Sequence, residues 1–219
     1  LDLDNSRNIG IFHAAGSLTG SEETTTTSIV DGTRVLDVVD GTAYSEGQFV
    51  CLKIKYPRRA PFARIVARVV EVIGNALTLD YTFGWTATSC TIQPVDVRSN
   101  ITVKGFNYVD NSGALDAVLE NKVSGVGYRY AYNCHAIDIT GENYSYPLTI
   151  TKFVHSCNQI NPKGIRPRFT DAGQGYTTQI NEGIFCETVN PVGEQVRHII
   201  DYTGGGHNKV VGGRAIRTT

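Results

Sequence analysis

The sequence predicts an all-β chain, a parallel β-helix (solenoid) with a small antiparallel β module near its start. Three observations carry that reading. Two matching phrases, His135-Ala136-Ile137-Asp138-Ile139-Thr140-Gly141 and His198-Ile199-Ile200-Asp201-Tyr202-Thr203-Gly204, lie 63 positions apart, and each closes on a glycine turn. A third histidine, His155, follows His135 by 20 residues and precedes His198 by 43. Those gaps are close to one and two steps of a repeat of about 20 to 25 residues, the size of a solenoid turn. Finally, apart from a weak stretch at 114–119, no apolar i, i+3, i+4 pattern persists for three turns, so turns rather than helices separate the extended runs. A strand type recurring at such a step buries its face only by stacking on its neighbours.

Bulk properties narrow the class. A chain of 219 residues is long enough for one sizeable domain, or a large one with a small one. The net charge of −1 with no basic stripe argues against a nucleic-acid partner. No apolar run approaches the roughly 18 to 20 residues of a membrane span, and no secretory or amphipathic targeting segment opens the chain. The absence of methionine predicts a piece of a longer protein. Five cysteines without a C-x-x-C pair argue against a disulfide framework or a zinc site. Neither a metal nor a cofactor is expected, and the cysteines read as small buried side chains. Cys134 and Cys157, 23 residues apart, match one rung.

Taken in order, residues 1–20 alternate apolar and polar around an Asn-rich turn and read as an opening rung. Residues 21–95 have a different texture, with strand candidates at 34–39, 49–54, 63–73 and 76–81. Gly74-Asn75 supplies the positive φ of a two-residue hairpin, and Pro57 to Pro61 makes a second turn. Several short antiparallel strands there predict a small inserted β module. Its arginines, Arg58, Arg59, Arg64 and Arg68, read as a solvated face. From residue 96 to 219 the rung texture returns, broken by a Pro- and Gly-rich loop at 161–175. Excursions of that kind are where solenoids carry specificity.

Asn100-Ile101-Thr102-Val103-Lys104-Gly105-Phe106 and Asn208-Lys209-Val210-Val211-Gly212-Gly213 resemble rungs of the pectate-lyase-like right-handed β-helix. Gly47-Gln48-Phe49-Val50-Cys51-Leu52, together with 72–80, is similar to small β modules set within such helices. The combination resembles tailspike and tail-fibre proteins of tailed bacteriophages more than secreted plant-wall lyases. The resemblance implies a homotrimer in the virion tail, in contact with other tail proteins and acting extracellularly at the host surface. It also implies binding, and often cleavage, of a bacterial surface polysaccharide. No catalytic motif of the family can be carried over residue by residue.

Cleaving a glycan takes two carboxylates about 5 to 9 Å apart. Neighbouring rungs about 4.8 Å apart can supply them. The candidates are Asp138 and Asp201, with Glu120 and Glu142, and also Glu187, near them in sequence. Aspartates ahead of a glycine turn also accept backbone hydrogen bonds, so a structural role stands beside the catalytic one. Tyr128, Tyr130 and Tyr132 alternate onto one side of a strand. With Arg129 they could form a platform for the C–H faces of sugars, or the rings could be buried at a subunit interface. The histidines read as ladder residues of the core, with a metal site or general bases as the alternatives. Three functions remain open: a phage tail segment that attaches to a surface polysaccharide and, if active, depolymerises it; a secreted bacterial polysaccharide lyase or glycoside hydrolase; and a purely structural tail or baseplate segment.

Overall fold

The structure is a computed structural model that describes residues 10–56, 59–87, 90–109, 124–168, 170 and 174–217. It is all-β: a right-handed parallel β-helix carrying an antiparallel module, with one turn of 3-10 helix at Gly41–Ala43. Among the described residues the solenoid has five rungs, each contributing one strand to each of three parallel sheets. The long sheet holds Gly10–Ala15, Ser124–Tyr132, Thr149–His155, Tyr176–Asn181 and His198–Thr203. The second sheet runs from Thr102–Lys104 through His135–Ile137, Asn158–Ile160 and Glu187–Val189 to Lys209–Val211. The third runs from Asn107–Val109 through Thr140–Glu142, Lys163–Ile165 and Val192–Glu194 to Arg214–Ile216.

The rungs close because every corner has a residue able to take positive φ. One corner column is Gly105, Asp138, Asn161, Asn190 and Gly212, with φ between 47° and 68°. Glycine and asparagine reach that region at low cost. Each of Gly105, Asp138, Asn161 and Asn190 donates its N–H to a carbonyl one rung on, at 2.7–3.0 Å. The preceding corner is the column Asn100, Asn133, Ser156, Phe185 and His207, also left-handed. A third column, Tyr130, Phe153, Glu182 and Gly204, puts a left-handed residue near the end of each long-sheet strand from the second rung onward.

Interior packing follows the rung register. Val126, Ala131, Cys134, Ile139, Leu148, Val154, Cys157 and Ile180 are among the buried residues of one cluster inside the coil. Burying each aliphatic side chain contributes ~1.5–3 kcal/mol relative to exposure. Cys134, Cys157 and Cys186 form a column, with the Cys134 N–H on Cys157 Sγ at 3.4 Å and the Cys186 N–H on Asn208 Oδ1 at 2.9 Å. A side-chain hydrogen bond with the Cys157 thiol holds the Cys134 thiol below its ordinary value, against burial. The predicted one-rung spacing of Cys134 and Cys157 therefore holds.

The histidine phrases, by contrast, are not equivalents. His135 opens a strand of the second sheet and pairs with Asn158, whereas His198 opens a strand of the long sheet and pairs with Tyr176. His155 pairs with Tyr132, so His135 and His155 do not stack. The reason lies in the rung lengths. Along the second sheet His135 faces Asn158, Gln159 faces Thr188 and Glu187 faces Lys209, which are steps of 23, 29 and 22 residues. A 63-residue offset matches no sum of consecutive steps.

The module is inserted within one strand. Gly10–Ala15 pairs with Ser124 to Arg129 of the second rung, and Arg98–Ser99 pairs with Ala131 and Tyr132 of that same rung. The chain leaves the solenoid after Ala15, builds a seven-stranded sheet, and returns to finish the row it began. The pairing order in that sheet is Cys90–Asp96, Phe49–Tyr56, Arg59–Ile73, Ala76–Leu79, Val35–Asp37, with Ser17–Leu18 and Glu23–Thr24 on the outer side of Cys90–Asp96. Gly74-Asn75 is the hairpin turn of this module, as expected from sequence. Strand 49–56 explains how the module docks. Val50, Leu52 and Ile54 point into the module's own core, while Cys51 and Phe49 pack with Tyr130 and Phe153 of the solenoid.

Candidate functional site

Every left-handed residue in the long sheet reverses the side-chain alternation of its strand. Tyr128, before the reversal, points into the solenoid core, 2 % exposed, and its hydroxyl donates to the His135 carbonyl at 2.8 Å. Tyr130, at φ 44°, points out beneath the module and is 3 % exposed. Tyr132 lies half-buried against Phe49, ring centroids 4.8 Å apart. The three tyrosines therefore do not line one exposed side, because the backbone reversal at Tyr130 lies between them.

The outer face of the long sheet is where polar groups gather. One column runs His13, Gly127, Ile150, Gln179, Asp201, and the next runs Ala15, Arg129, Lys152, Asn181, Thr203. Gln179 is 8 % exposed; its Nε2 donates to Asp201 Oδ2 at 2.6 Å, while its buried Oε1 has no hydrogen-bond partner among the described residues. A buried acceptor without a donor costs about 1–3 kcal/mol. Thr203 Oγ1 donates to the same Asp201 oxygen at 3.3 Å.

Cations stand over rings beside that column. The Arg129 guanidinium lies 5.0 Å from the Tyr130 centroid and the Lys152 ammonium 4.7 Å from that of Phe153. Arg64 of the module also lies over Phe153, 5.1 Å from its centroid. Arg197 lies 5.8 Å from the Tyr176 ring. Against them stands Glu182, whose Oε1 accepts the Arg64 N–H at 3.1 Å. Burial raises the Glu182 carboxyl above the ordinary value, against that hydrogen bond and the charges of Lys152 and Arg64. Gln179 faces Asp201, and Glu182 lies three residues further along and one rung back. At ~3.3 Å per residue and ~4.8 Å per rung, this puts their backbones about 11 Å apart.

The sequence candidates fall in different places. Asp201 and Arg129 lie on this face. Asp138 sits at φ 55° in a corner between the second and third sheets, three rungs from Asp201, and accepts from Asn161 Nδ2 at 2.9 Å. Asn190 Nδ2 continues that row onto Asn161 Oδ1 at 3.4 Å. Glu142 lies on the third sheet and pairs with Arg166. Glu187, on the second sheet, pairs with Lys209 at 3.1 Å. Glu120 and Arg58 lie outside the described residues. The structure thus does not bring Asp138, Glu142 and Asp201 together. The sequence does not single out Gln179 or Glu182, since only the rung register sets Gln179 opposite Asp201 and Glu182 three residues further along.

No protein-family model and no curated protein matches the chain by sequence. Solved structures do match it in fold, and all three described here are phage tailspikes. The Gp54 tailspike of Acinetobacter baumannii bacteriophage AP22, in complex with A. baumannii capsular saccharide, is 17% identical. Its TM-score is 0.66, over 94% of this chain and 36% of that one. The tailspike protein gp49 from Pseudomonas phage LKA1 is 14% identical, with a TM-score of 0.67 over 89% of this chain and 32% of that one. The Pseudomonas phage phi297 tailspike gp61 is 14% identical, with a TM-score of 0.70 over 92% and 35%. The chain therefore spans about a third of the length of the tailspikes it matches, and what it shares with them is the fold.

Proposed function

We propose that this chain is a segment of a phage tailspike that attaches to a bacterial surface polysaccharide through the outer face of its long sheet. The observation that carries the reading is the Gln179–Asp201 pair, a nearly buried amide that gives its N–H to a carboxylate on the outer face, beside cations held over aromatic rings. Sugar hydroxyls donate and accept at once, so an amide–carboxylate pair beside cations over rings suits them. Similarity in fold to a tailspike solved with capsular saccharide supports this choice of ligand. The protein acts outside the bacterium, on the virion tail, as a homotrimer in contact with other tail proteins. Where it cleaves, Glu182, whose carboxyl burial pushes above its ordinary value, is the acid and Asp201 is its partner on the far side of the sugar.

Titration of capsule or O-antigen oligosaccharides into the protein by calorimetry tests attachment. Gln179→Ala and Asp201→Asn should each weaken binding about tenfold or more, the scale of one lost hydrogen bond to a charged group. Binding untouched in both variants overturns the assignment of this face. Release of reducing ends by the wild type, abolished in Glu182→Gln, would establish depolymerisation. Light scattering on the eluting protein reports whether it is a trimer.

A further inference from the structure

We infer that Ser156, His155 and Asp80 form a hydrolytic relay across the seam between module and solenoid, directed at small acyl esters. The Asp80 carboxylate comes from the module, and its Oδ2 lies 2.7 Å from His155 Nε2. His155 Nδ1 lies 2.8 Å from Ser156 Oγ. A carboxylate accepts only, so Nε2 carries a proton, and in the neutral imidazole Nδ1 then presents its lone pair to the serine hydroxyl. That is the order nucleophile, base, orienting carboxylate, recognised by geometry rather than by sequence position. The two ring nitrogens are exchanged relative to the usual serine-hydrolase arrangement, which leaves the direction of proton flow unchanged.

The surroundings fit the role. His155 is 5 % exposed and is held by Phe49, Tyr132 and Phe185, with ring centroids 5.8, 5.4 and 5.3 Å away. Asp80 is held in turn by the Arg68 N–H on its Oδ1 at 2.9 Å. Ser156 is only half-buried, on an outer corner at φ 54°. A base fixed among aromatic rings, a fixed carboxylate and a serine less buried than that base suit a short acyl chain.

In the first step Ser156 Oγ bonds to the acyl carbon, its proton passes to Nδ1, and the departing alkoxide takes that proton as the ester C–O bond breaks. Water then bonds to the acyl carbon and gives its proton to Nδ1. The Oγ–acyl bond breaks, the proton returns to Ser156, and a free carboxylic acid leaves. An O-acylated sugar is the ester that the proposed attachment to a surface glycan would present. The relay itself does not depend on that attachment.

The test needs no glycan. The folded chain is treated with a fluorophosphonate probe and mapped by peptide mass spectrometry, and p-nitrophenyl acetate turnover is followed in parallel. The expected result is a label at Ser156, lost in Ser156→Ala, with turnover lowered at least 100-fold, the lower range for acid–base catalysis. Asp80→Asn should lower kcat while KM holds, and circular dichroism confirms folding of each variant. An unlabelled Ser156 in the folded wild type, or turnover equal in Ser156→Ala, overturns the relay. Acetate release from O-acetylated capsule separates the two ideas, since labelling without release retains the relay but not its sugar ester.

Discussion

At the scale of single residues, backbone conformation decides what a side chain can do. Asp138 occupies a position that other rungs fill with glycine or asparagine. Asp138→Asn should therefore leave the melting temperature almost unchanged, within about 0.5 kcal/mol. Asp138→Val should cost ~1–2 kcal/mol for a β-branched side chain in the left-handed region. Thermal denaturation of both variants checks this, and loss of polysaccharide cleavage in Asp138→Asn would return the residue to the chemistry. Glu182 behaves differently. Its folded-state pKa is raised, so the native state holds the proton more tightly than the unfolded chain. Stability then falls as pH rises from the ordinary value of 4.5 through the folded pKa, and levels off above it. Glu182→Gln, which keeps an oxygen for the Arg64 N–H, should flatten that fall. It should also raise the melting temperature at pH 7, by ~2–4 °C for each kcal/mol recovered. At this scale the sequence was least legible. Alternation placed Tyr128, Tyr130 and Tyr132 on one side, and no local signal announces that a tyrosine will take positive φ.

At the scale of elements, spacing was legible wherever rungs have equal length. Cys134 and Cys157 were read correctly as one step, and Gly74-Asn75 as a hairpin. The match between the phrases at His135 and His198 misled because the step from the third rung to the fourth is 29 residues, with ten residues separating Lys163–Ile165 from Tyr176–Asn181. Likeness of wording between short strands says little about which sheet they join, since all three sheets demand the same small, β-prone residues. The junction at Gly16 is an element-scale feature that composition hides. A Cβ there would lie 2.6 Å from the Tyr130 carbonyl oxygen and closer still to that of Asp96. The chain leaves and re-enters the solenoid through this gap, with the Gly16 N–H on the Arg129 carbonyl at 2.9 Å. Gly16→Ala should cost ~1–3 kcal/mol, as overpacking does, and denaturant midpoints will measure it. An unchanged midpoint would mean the two crossings have room to separate.

At the scale of the molecule, the fold class and the presence of the module could be read from texture alone, because burial by stacking leaves a mark on every rung. The polar face of the long sheet could not be read so, since it is assembled from residues up to 188 positions apart in sequence, His13 to Asp201. Excising residues 17–97 and joining Gly16 to Arg98 tests how the two parts depend on each other. The remaining solenoid should keep the far-ultraviolet signature of β structure while binding a hydrophobic dye through the uncovered Tyr130 and Phe153 rings. Loss of that signature would show that the coil cannot stand without its passenger.

The broken first row of the long sheet has a mechanical meaning. Both feet of the module are planted on one strand position, so a pull along the stacking axis runs through the three ladders and bypasses the side arm. A shaft of this kind can exchange its ornament without rewinding the cable.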